Sequence, residues 1–135
     1  MKHLLATILT LATILPGLAS EEKQAAVAAA LAWLEMVDAG DYAASWDAAA
    51  PYFQAAVPKA DWERTIKAVR EPLGETDSRQ LRGADFKTTL AGAPDGEYFV
   101  IQFNAKFAHK ASAVETITPM KAPDGTWRVS GYFIK

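Results

Sequence analysis

Residues 97–109 read EYFVIQFNAKFAH. Phe99, Ile101, Phe103, Ala105 and Phe107 take every second place, with Tyr98, Val100, Gln102, Asn104 and Lys106 between them. A period of two puts each set on its own face of a β-strand. The pattern extends in both directions. A first strand is expected over about 79–90. There Leu81 is on odd parity, while Phe86, Thr88 and Leu90 are on even parity, so a β-bulge is expected at Gly83. A third strand is expected over about 112–121 and a fourth over 126–134. The tetrapeptide APDG stands at 93–96 and again at 122–125. Its Pro and Gly are turn chemistry, so the copies are read as turns and not as a domain repeat.

Pairing apolar with apolar suggests the register. A turn at Lys110-Ala111 would set Phe103 opposite Thr118 and Phe107 opposite Val114. A loop at 122–125 would set Thr118 opposite Val129 and Thr116 opposite Gly131. One face then holds Ile101, Phe103, Phe107, Val114, Thr116, Thr118, Met120, Trp127, Val129, Gly131 and Phe133. It is almost wholly apolar and is expected to lie beneath helices. The other face collects Gln102, Asn104, Lys106, Glu115, Arg128 and Ser130, with Tyr98, Val100, Ile117, Tyr132 and Ile134 among them.

Upstream of the strands the period is 3.6. A helix is expected over 21–38, with Val27, Ala30, Leu31, Leu34 and Val37 on one stripe and Trp33 beside it. Glu21 and Glu22 suit its positive end, and Gly40 is placed to stop it. Asp41 is a good N-cap for a second helix, from Tyr42 to about Ala50. Pro51 to Ala56 reads as a short helical turn. A third helix runs from about Lys59 to Arg70, its stripe Trp62, Ile66, Val69 and Leu73. Pro72 is expected to push Glu71 out of helical geometry, and Gly74 completes the stop. Helices followed by antiparallel strands make the fold class α+β: three N-terminal helices packed on one face of a curved four-stranded antiparallel sheet.

The first twenty residues, MKHLLATILTLATILPGLAS, have a short basic start, an apolar run from Leu4 to Leu15, a Pro16-Gly17 break and small residues at 17 and 19. That is the layout of a secretory signal peptide, with cleavage expected after Ala19. Twelve residues of helix span only about 18 Å against ~30 Å of hydrocarbon, so a membrane anchor is disfavoured. The expected division is a leader over 1–19 and one α+β domain over 20–135, exported to a periplasm or secreted, with no integral membrane segment after cleavage.

With 14 Lys+Arg against 16 Asp+Glu, the chain lacks the basic footprint that nucleic-acid binding needs. It has no cysteine, which removes disulfides, thiolate chemistry and sulfur-ligated zinc. No metal-ligating or phosphate-cradling spacing is present, and no cofactor is expected. His109, the one histidine beyond the leader, stands at a predicted hairpin end, a solvated spot. Ser45 and Ser130 have no histidine placed to activate them.

Arg70 and Arg79 flank the rigid Pro72-Leu73-Gly74 connection. Their guanidinium groups could together clamp a carboxylate or phosphate, or bond the free carbonyls at the end of the third helix. Thr116 and Thr118 would put hydroxyls on the apolar face, and Gly131 leaves a gap in it, as in a ligand pocket. Trp46 is the large side chain that either lines such a pocket or fills it. Glu115 is a weak acid/base candidate, opposite Lys106 and Tyr132 in this register, where a cross-strand pair explains it equally well. Asp38 and Asp41 read as a helix end and a cap.

Several strings resemble a family of exported bacterial proteins, domain of unknown function 4019. They are Trp33-Leu34, Val37-Asp38-Ala39-Gly40-Asp41-Tyr42, Ser45-Trp46, Trp62, Val69-Arg70-Glu71-Pro72-Leu73-Gly74, Ser78-Arg79, Gly92-Ala93-Pro94-Asp95-Gly96-Glu97-Tyr98, Glu115-Thr116 and Trp127-Arg128-Val129-Ser130-Gly131-Tyr132. Pro58 departs from the pattern, where a hydroxyl cap for the third helix is expected. The resemblance implies no activity. The order of elements also looks like the nuclear transport factor two-like, cystatin-like cone, which implies a pocket between helices and sheet. The expected role is non-catalytic binding of a small apolar or amphipathic ligand or of a partner protein, with a homodimer through the outer face of Tyr98, Val100, Ile117, Tyr132 and Ile134. The alternatives are a small cone-fold isomerase or hydrolase using Glu115 or Asp85, and a structural envelope module without a pocket.

Overall fold

The structure is a computed structural model and describes residues 16–135. Four helices, α1 (Pro16–Asp38), α2 (Tyr42–Asp47), α3 (Pro51–Ala56) and α4 (Lys59–Arg70), precede a 3-10 turn at Glu71–Leu73. Four strands follow: β1 (Thr76–Lys87), β2 (Tyr98–Phe107), β3 (Lys110–Lys121) and β4 (Trp127–Ile134). They form one antiparallel sheet in the order β1-β2-β3-β4. Helices N-terminal to the sheet cover one face of it, and the fold is α+β. The apolar run Leu4–Leu15 of the expected leader lies outside the described residues.

α1 is already helical at Pro16, five residues before the expected start. Glu21 and Glu22 therefore lie within the helix, and Glu22 accepts from Lys121 Nζ at 3.0 Å and Trp127 Nε1 at 3.1 Å. The buried stripe is Ala26, Ala30, Trp33, Leu34 and Val37, while Leu31 stays 38% exposed. Asp41 caps α2, its carboxylate accepting from Ala44 N–H at 3.3 Å. α2 ends at Asp47, and Pro51–Ala56 is a helix in its own right. Pro58 caps α4 without a side-chain bond.

Ser45 joins three helices. Its carbonyl accepts from Trp33 Nε1 at 2.7 Å, and its hydroxyl accepts from Trp62 Nε1 at 2.9 Å while donating to Tyr42 O at 2.6 Å. The two indoles lie 5.8 Å apart, and Phe53 meets Trp62 edge-on at 5.0 Å. Beneath them sit Phe99, Ile101, Phe103, Ile117, Trp127 and Val129 of the sheet. Each buried side chain of this size contributes roughly 1.5–3 kcal/mol.

α4 buries Trp62, Ile66 and Arg70, while Val69 is 42% exposed. The stripe is thus i, i+4, i+8, with a charged residue in its third place. Pro72 does not push Glu71 out of helical geometry: α4 ends at Arg70, but Glu71 keeps φ −58° and ψ −45° and opens the 3-10 turn. Gly74, at φ 75°, then reverses the chain. A Cβ there would lie 2.9 Å from His109 Cδ2 and 3.0 Å from Ala108 Cβ. The tip of the β2–β3 hairpin is bound to this corner, with His109 N–H donating to Leu73 O at 2.9 Å and Ala108 N–H to Glu75 O at 2.8 Å.

The sheet register corrects the expected faces. The bulge expected near Gly83 is present, because the β1–β2 ladder shifts between Leu81 and Gly83. The β2–β3 turn, however, falls at Ala108-His109, with Phe107 opposite Lys110. Moving a turn by two residues keeps every side chain on its face. An extra residue on β3 between Lys110 and Ala113 does not, and it turns β3 over. Ala113, Glu115, Ile117 and Pro119 therefore face the helices, while Val114, Thr116, Thr118 and Met120 face away. A second bulge, at Ser130, turns β4 over between Val129 and Gly131. Trp127, Val129, Tyr132 and Ile134 face the helices, and Gly131 and Phe133 do not. Phe133, expected beneath the helices, is 53% exposed on the outer face. Ile117, Tyr132 and Ile134 are absent from that face, so the surface expected for a homodimer is not assembled there. Tyr98 stays on the outer side but is fully buried, its hydroxyl donating to Pro94 O at 2.5 Å.

Candidate functional site

Two features stand out on the helix side of the sheet. One is a half-buried cluster of charge where α1 and α4 end, with Arg70 and Glu115 buried and Asp38 at the surface. Arg70 Nη2 donates to Asp38 Oδ1 at 2.7 Å and to Thr76 Oγ1 at 3.0 Å. Arg79 grips Asp38 with both terminal nitrogens, Nη1 to Oδ2 at 2.8 Å and Nη2 to Oδ1 at 3.0 Å. Its Nε reaches Glu115 Oε1 at 2.6 Å and its Nη2 reaches Glu115 Oε2 at 3.1 Å. Tyr132 donates its hydroxyl to Glu115 Oε2. Two guanidinium groups face two carboxylates, so the cluster is neutral as a whole.

The local sequence explains why these groups meet. Arg79 leaves β1 opposite Ala105, and Ala105 lies opposite Ala113. Two methyl groups leave a lane along which the arginine crosses β2 to Glu115. Arg70 takes the apolar place on α4, and its guanidinium lies 5.0 Å over the Phe107 ring, a cation–π arrangement. Burial would raise the pKa of Asp38. Hydrogen bonds from Arg79 and then Arg70, with their charges, outweigh it and hold the carboxyl below its ordinary 3.8. Burial works against the charge of Arg79, but its bonds to Asp38 and Glu115 win and raise its pKa. Burial, then the charge of Glu115 and the bond to it, push the Tyr132 phenol well above its usual 10.

The arginine pair thus does clamp a carboxylate, and that carboxylate is Asp38 of the same chain. The helix-end carbonyls are not their partners. Glu115 is completely buried and both its oxygens accept hydrogen bonds from Arg79 or Tyr132, so it presents no exposed oxygen to a substrate. Asp85, the other carboxylate of the enzyme reading, is exposed. Nε and Nη1 of Arg70 are buried without an acceptor among the described residues. The cavity of about 270 Å³ that Arg70 borders is also walled by Asp38, Glu71 and Glu75. Three carboxylates against one guanidinium disfavour an anion there.

The second feature is a trough between α1 and β1. α1 runs over β3 and β4, leaving the helix-side residues of β1 partly open. One part, of about 620 Å³, is lined by Leu18, Lys23, Ala84, Phe86, Glu97 and Phe99. The other, of about 390 Å³, is lined by Lys23, Gln24, Val27, Leu31 and Leu81. The two parts adjoin at Ser20 and Lys23, which line both, and together they make up the α1–β1 channel. Phe86 is 50% exposed and Leu81 49%. Phe86 rests on Phe99 at 5.4 Å between ring centres.

The remaining candidates lie elsewhere. Thr116, Thr118 and Gly131 face away from the helices, so the gap expected beneath the helices is not there. A Cβ at Gly131 would meet nothing within 4 Å. Thr116 Oγ1 instead accepts from Gln102 Nε2 at 3.3 Å. Trp46 donates to Val57 O at 2.8 Å and carries Lys59 Nζ 5.7 Å above its ring, fastening α2 to the start of α4. Sequence reading missed Asp38 and Tyr132 as members of the charge cluster, because 32 or more residues separate Asp38 from its two arginines. It also missed the channel, although the parity switch between Leu81 and Phe86 marked the strand that forms it. Among the described residues no group of three or more His, Cys, Asp or Glu is placed to hold a metal ion, and no helix is long and apolar enough to cross a membrane.

Residues 29–132 match the family model described as "Protein of unknown function (DUF4019)". No curated protein matches the chain, and no solved structure does.

Proposed function

Because the chain belongs to the DUF4019 family, whose description carries no activity, we propose its function from geometry: an exported, non-catalytic module that binds a linear apolar or amphipathic ligand in the α1–β1 channel. The observation that carries this reading is the half-exposed pair Leu81 and Phe86, on the helix side of the sheet but outside the packed core. Channel parts of about 620 and 390 Å³ fall in the range of small-molecule sites, roughly 300–1,000 Å³. Lys23 and Glu97 at its rim would meet a polar head group while the phenyl rings take the chain. Export rests on the leader pattern of residues 1–19. Cleavage after Ala19 would remove Leu18 and Ala19 from the wall and open the Phe86 end.

Fluorescence titration of the purified chain with an anilinonaphthalene sulfonate, followed by displacement with dodecanoate, tests the site. Saturable one-to-one binding is expected. Phe86→Asp is expected to weaken it about tenfold or more, a change of ~1.4 kcal/mol. Val69→Asp, on an exposed apolar residue of α4, should leave it unchanged. Absence of saturation, or equal loss in both variants, overturns the reading. The intact mass of the product recovered outside the cytoplasm tests export, and retention of residues 1–19 counts against it.

A further inference from the structure

The two edges of the sheet are finished differently. At β4, Ala50 N–H donates to Val129 O at 2.8 Å, so a helix start closes part of that edge. β1 has no such cover. It runs for twelve residues, nine of them exposed. Among the described residues its backbone groups bond to nothing but β2. A long bare edge with apolar side chains is a template for another strand.

The strand reads Thr76-Asp77-Ser78-Arg79-Gln80-Leu81-Arg82-Gly83-Ala84-Asp85-Phe86-Lys87, and its outer half is self-complementary. A second copy can meet it antiparallel, with the two-fold axis at Ala84, which then faces its own copy. Leu81 of each copy faces Phe86 of the other and Gly83 faces Asp85, so the bulged Arg82 stands beside Asp85. Directly opposed residues of an antiparallel pair share a face. That condition holds for the apolar pair, because Leu81 lies opposite Phe103 and Phe86 opposite Phe99, all on the helix side. Arg82 is the residue that the bulge leaves without a partner on β2. Neither Arg82 nor Asp85 makes an ion pair within the chain among the described residues.

We infer that the chain forms a homodimer by β1–β1 pairing, joining two four-stranded sheets into one of eight strands. The occupant of the bare edge is a second copy, because the hydrophobic and the charged partners that this edge lacks are both present on the edge itself. The pairing covers four half-exposed side chains, brings two pairs of opposite charges beside one another and sets the two α1–β1 channels side by side across the axis. It draws on the same Leu81 and Phe86 as the channel, but it is read from mass and not from the dye, so either reading can fail while the other holds.

Light scattering of the purified chain up to roughly 100 μM, well above the micromolar end for specific interfaces, should give twice the protomer mass. Arg82→Asp alone and Asp85→Arg alone put like charges beside one another across the axis, and each is expected to raise the dissociation constant about tenfold or more. The combined variant R82D/D85R restores opposite charges and should dimerise again. Hydrogen exchange provides a readout without substitutions: the β1 edge amides should become more protected as concentration rises. A monomer at the highest concentration overturns the proposal and assigns the bulge and charges to guarding the edge. A dimer indifferent to the single changes, a combined variant that stays monomeric while folded, or exchange independent of concentration overturns it equally.

Discussion

Arg79, on β1, and Glu115, on β3, meet across the whole width of β2, Nε to Oε1 at 2.6 Å, over the small side chain of Ala105. The contact ties three strands together beneath the ends of two helices. It also settles how much each charge depends on the other, because Glu115 is completely buried.

Removing one partner strands that charge. Arg79→Met is expected to cost about 3–5 kcal/mol, the usual penalty for leaving one half of a buried pair. The double variant R79M/E115Q should cost less than its two single changes combined, with a coupling of about 1 kcal/mol or more. Urea denaturation of the four proteins measures the cycle, and strict additivity would show that the two groups act separately.

Acid stability should follow Asp38. Its carboxyl is held below 3.8 when folded, so the unfolded chain takes up a proton first as pH falls. The stabilisation is present in full above the unfolded value and is lost below about pH 5 as the folded value is approached. Urea midpoints measured from pH 6 downward should fall along this limb. Asp38→Asn should lower the neutral plateau and flatten the limb. An unchanged slope in that variant refutes the assignment.

At the alkaline end the largest shift is at Tyr132, whose phenol is raised above its ordinary 10, with burial raising Tyr98 as well. The unfolded chain loses that proton first, so stability is complete below pH 10 and declines above it. Ultraviolet titration of the folded protein should show Tyr132 still protonated at a pH where exposed tyrosines have ionised. Tyr132→Phe removes a hydrogen bond to a charged group and should cost about 1.5–3 kcal/mol.

Gly40 and Gly74 share a left-handed backbone, at φ 76° and 75°, but only Gly74 is crowded. An alanine at either pays the left-handed penalty of roughly 1–2 kcal/mol. At Gly74 it must also displace His109 and Ala108. Gly74→Ala should therefore be the more damaging, and the difference in thermal midpoint between the two variants reads the clash alone.

The flipped strands make a prediction of their own. Phe103→Ala should cost about 3–5 kcal/mol, as for a core phenylalanine. Phe133→Ala, on the outer face, should cost about 1 kcal/mol or less. Equal losses would restore the register first expected from the apolar pattern.

The helices and strands were legible because each carries its own period, and the Gly83 bulge was legible because it separates two apolar residues of opposite parity. The bulge beside the β2–β3 turn was not. Ala111, Ser112 and Ala113 are small and nearly neutral in preference, so either face accepts them, and the apolar count favoured placing Thr116 and Thr118 inward. The cost of burying Glu115 argued the same way, because nothing in its neighbourhood along the chain announces Arg79. The spacing of the arginine pair about a rigid corner left two readings open, a clamp on an anion and a bond to the helix-end carbonyls. Its target was not legible, since a helix-ending aspartate looks alike whether it meets water or two guanidinium groups.

The two indoles that share Ser45 lie close enough to absorb light as one coupled chromophore. Because one belongs to α1 and the other to α4, any event that parts those helices must alter the near-ultraviolet dichroism of the pair. Trp127, bonded to Glu22 of α1 away from Trp33, emits from a separate environment. The molecule carries an intrinsic optical gauge at two places along α1, and local opening can be followed without attaching a label.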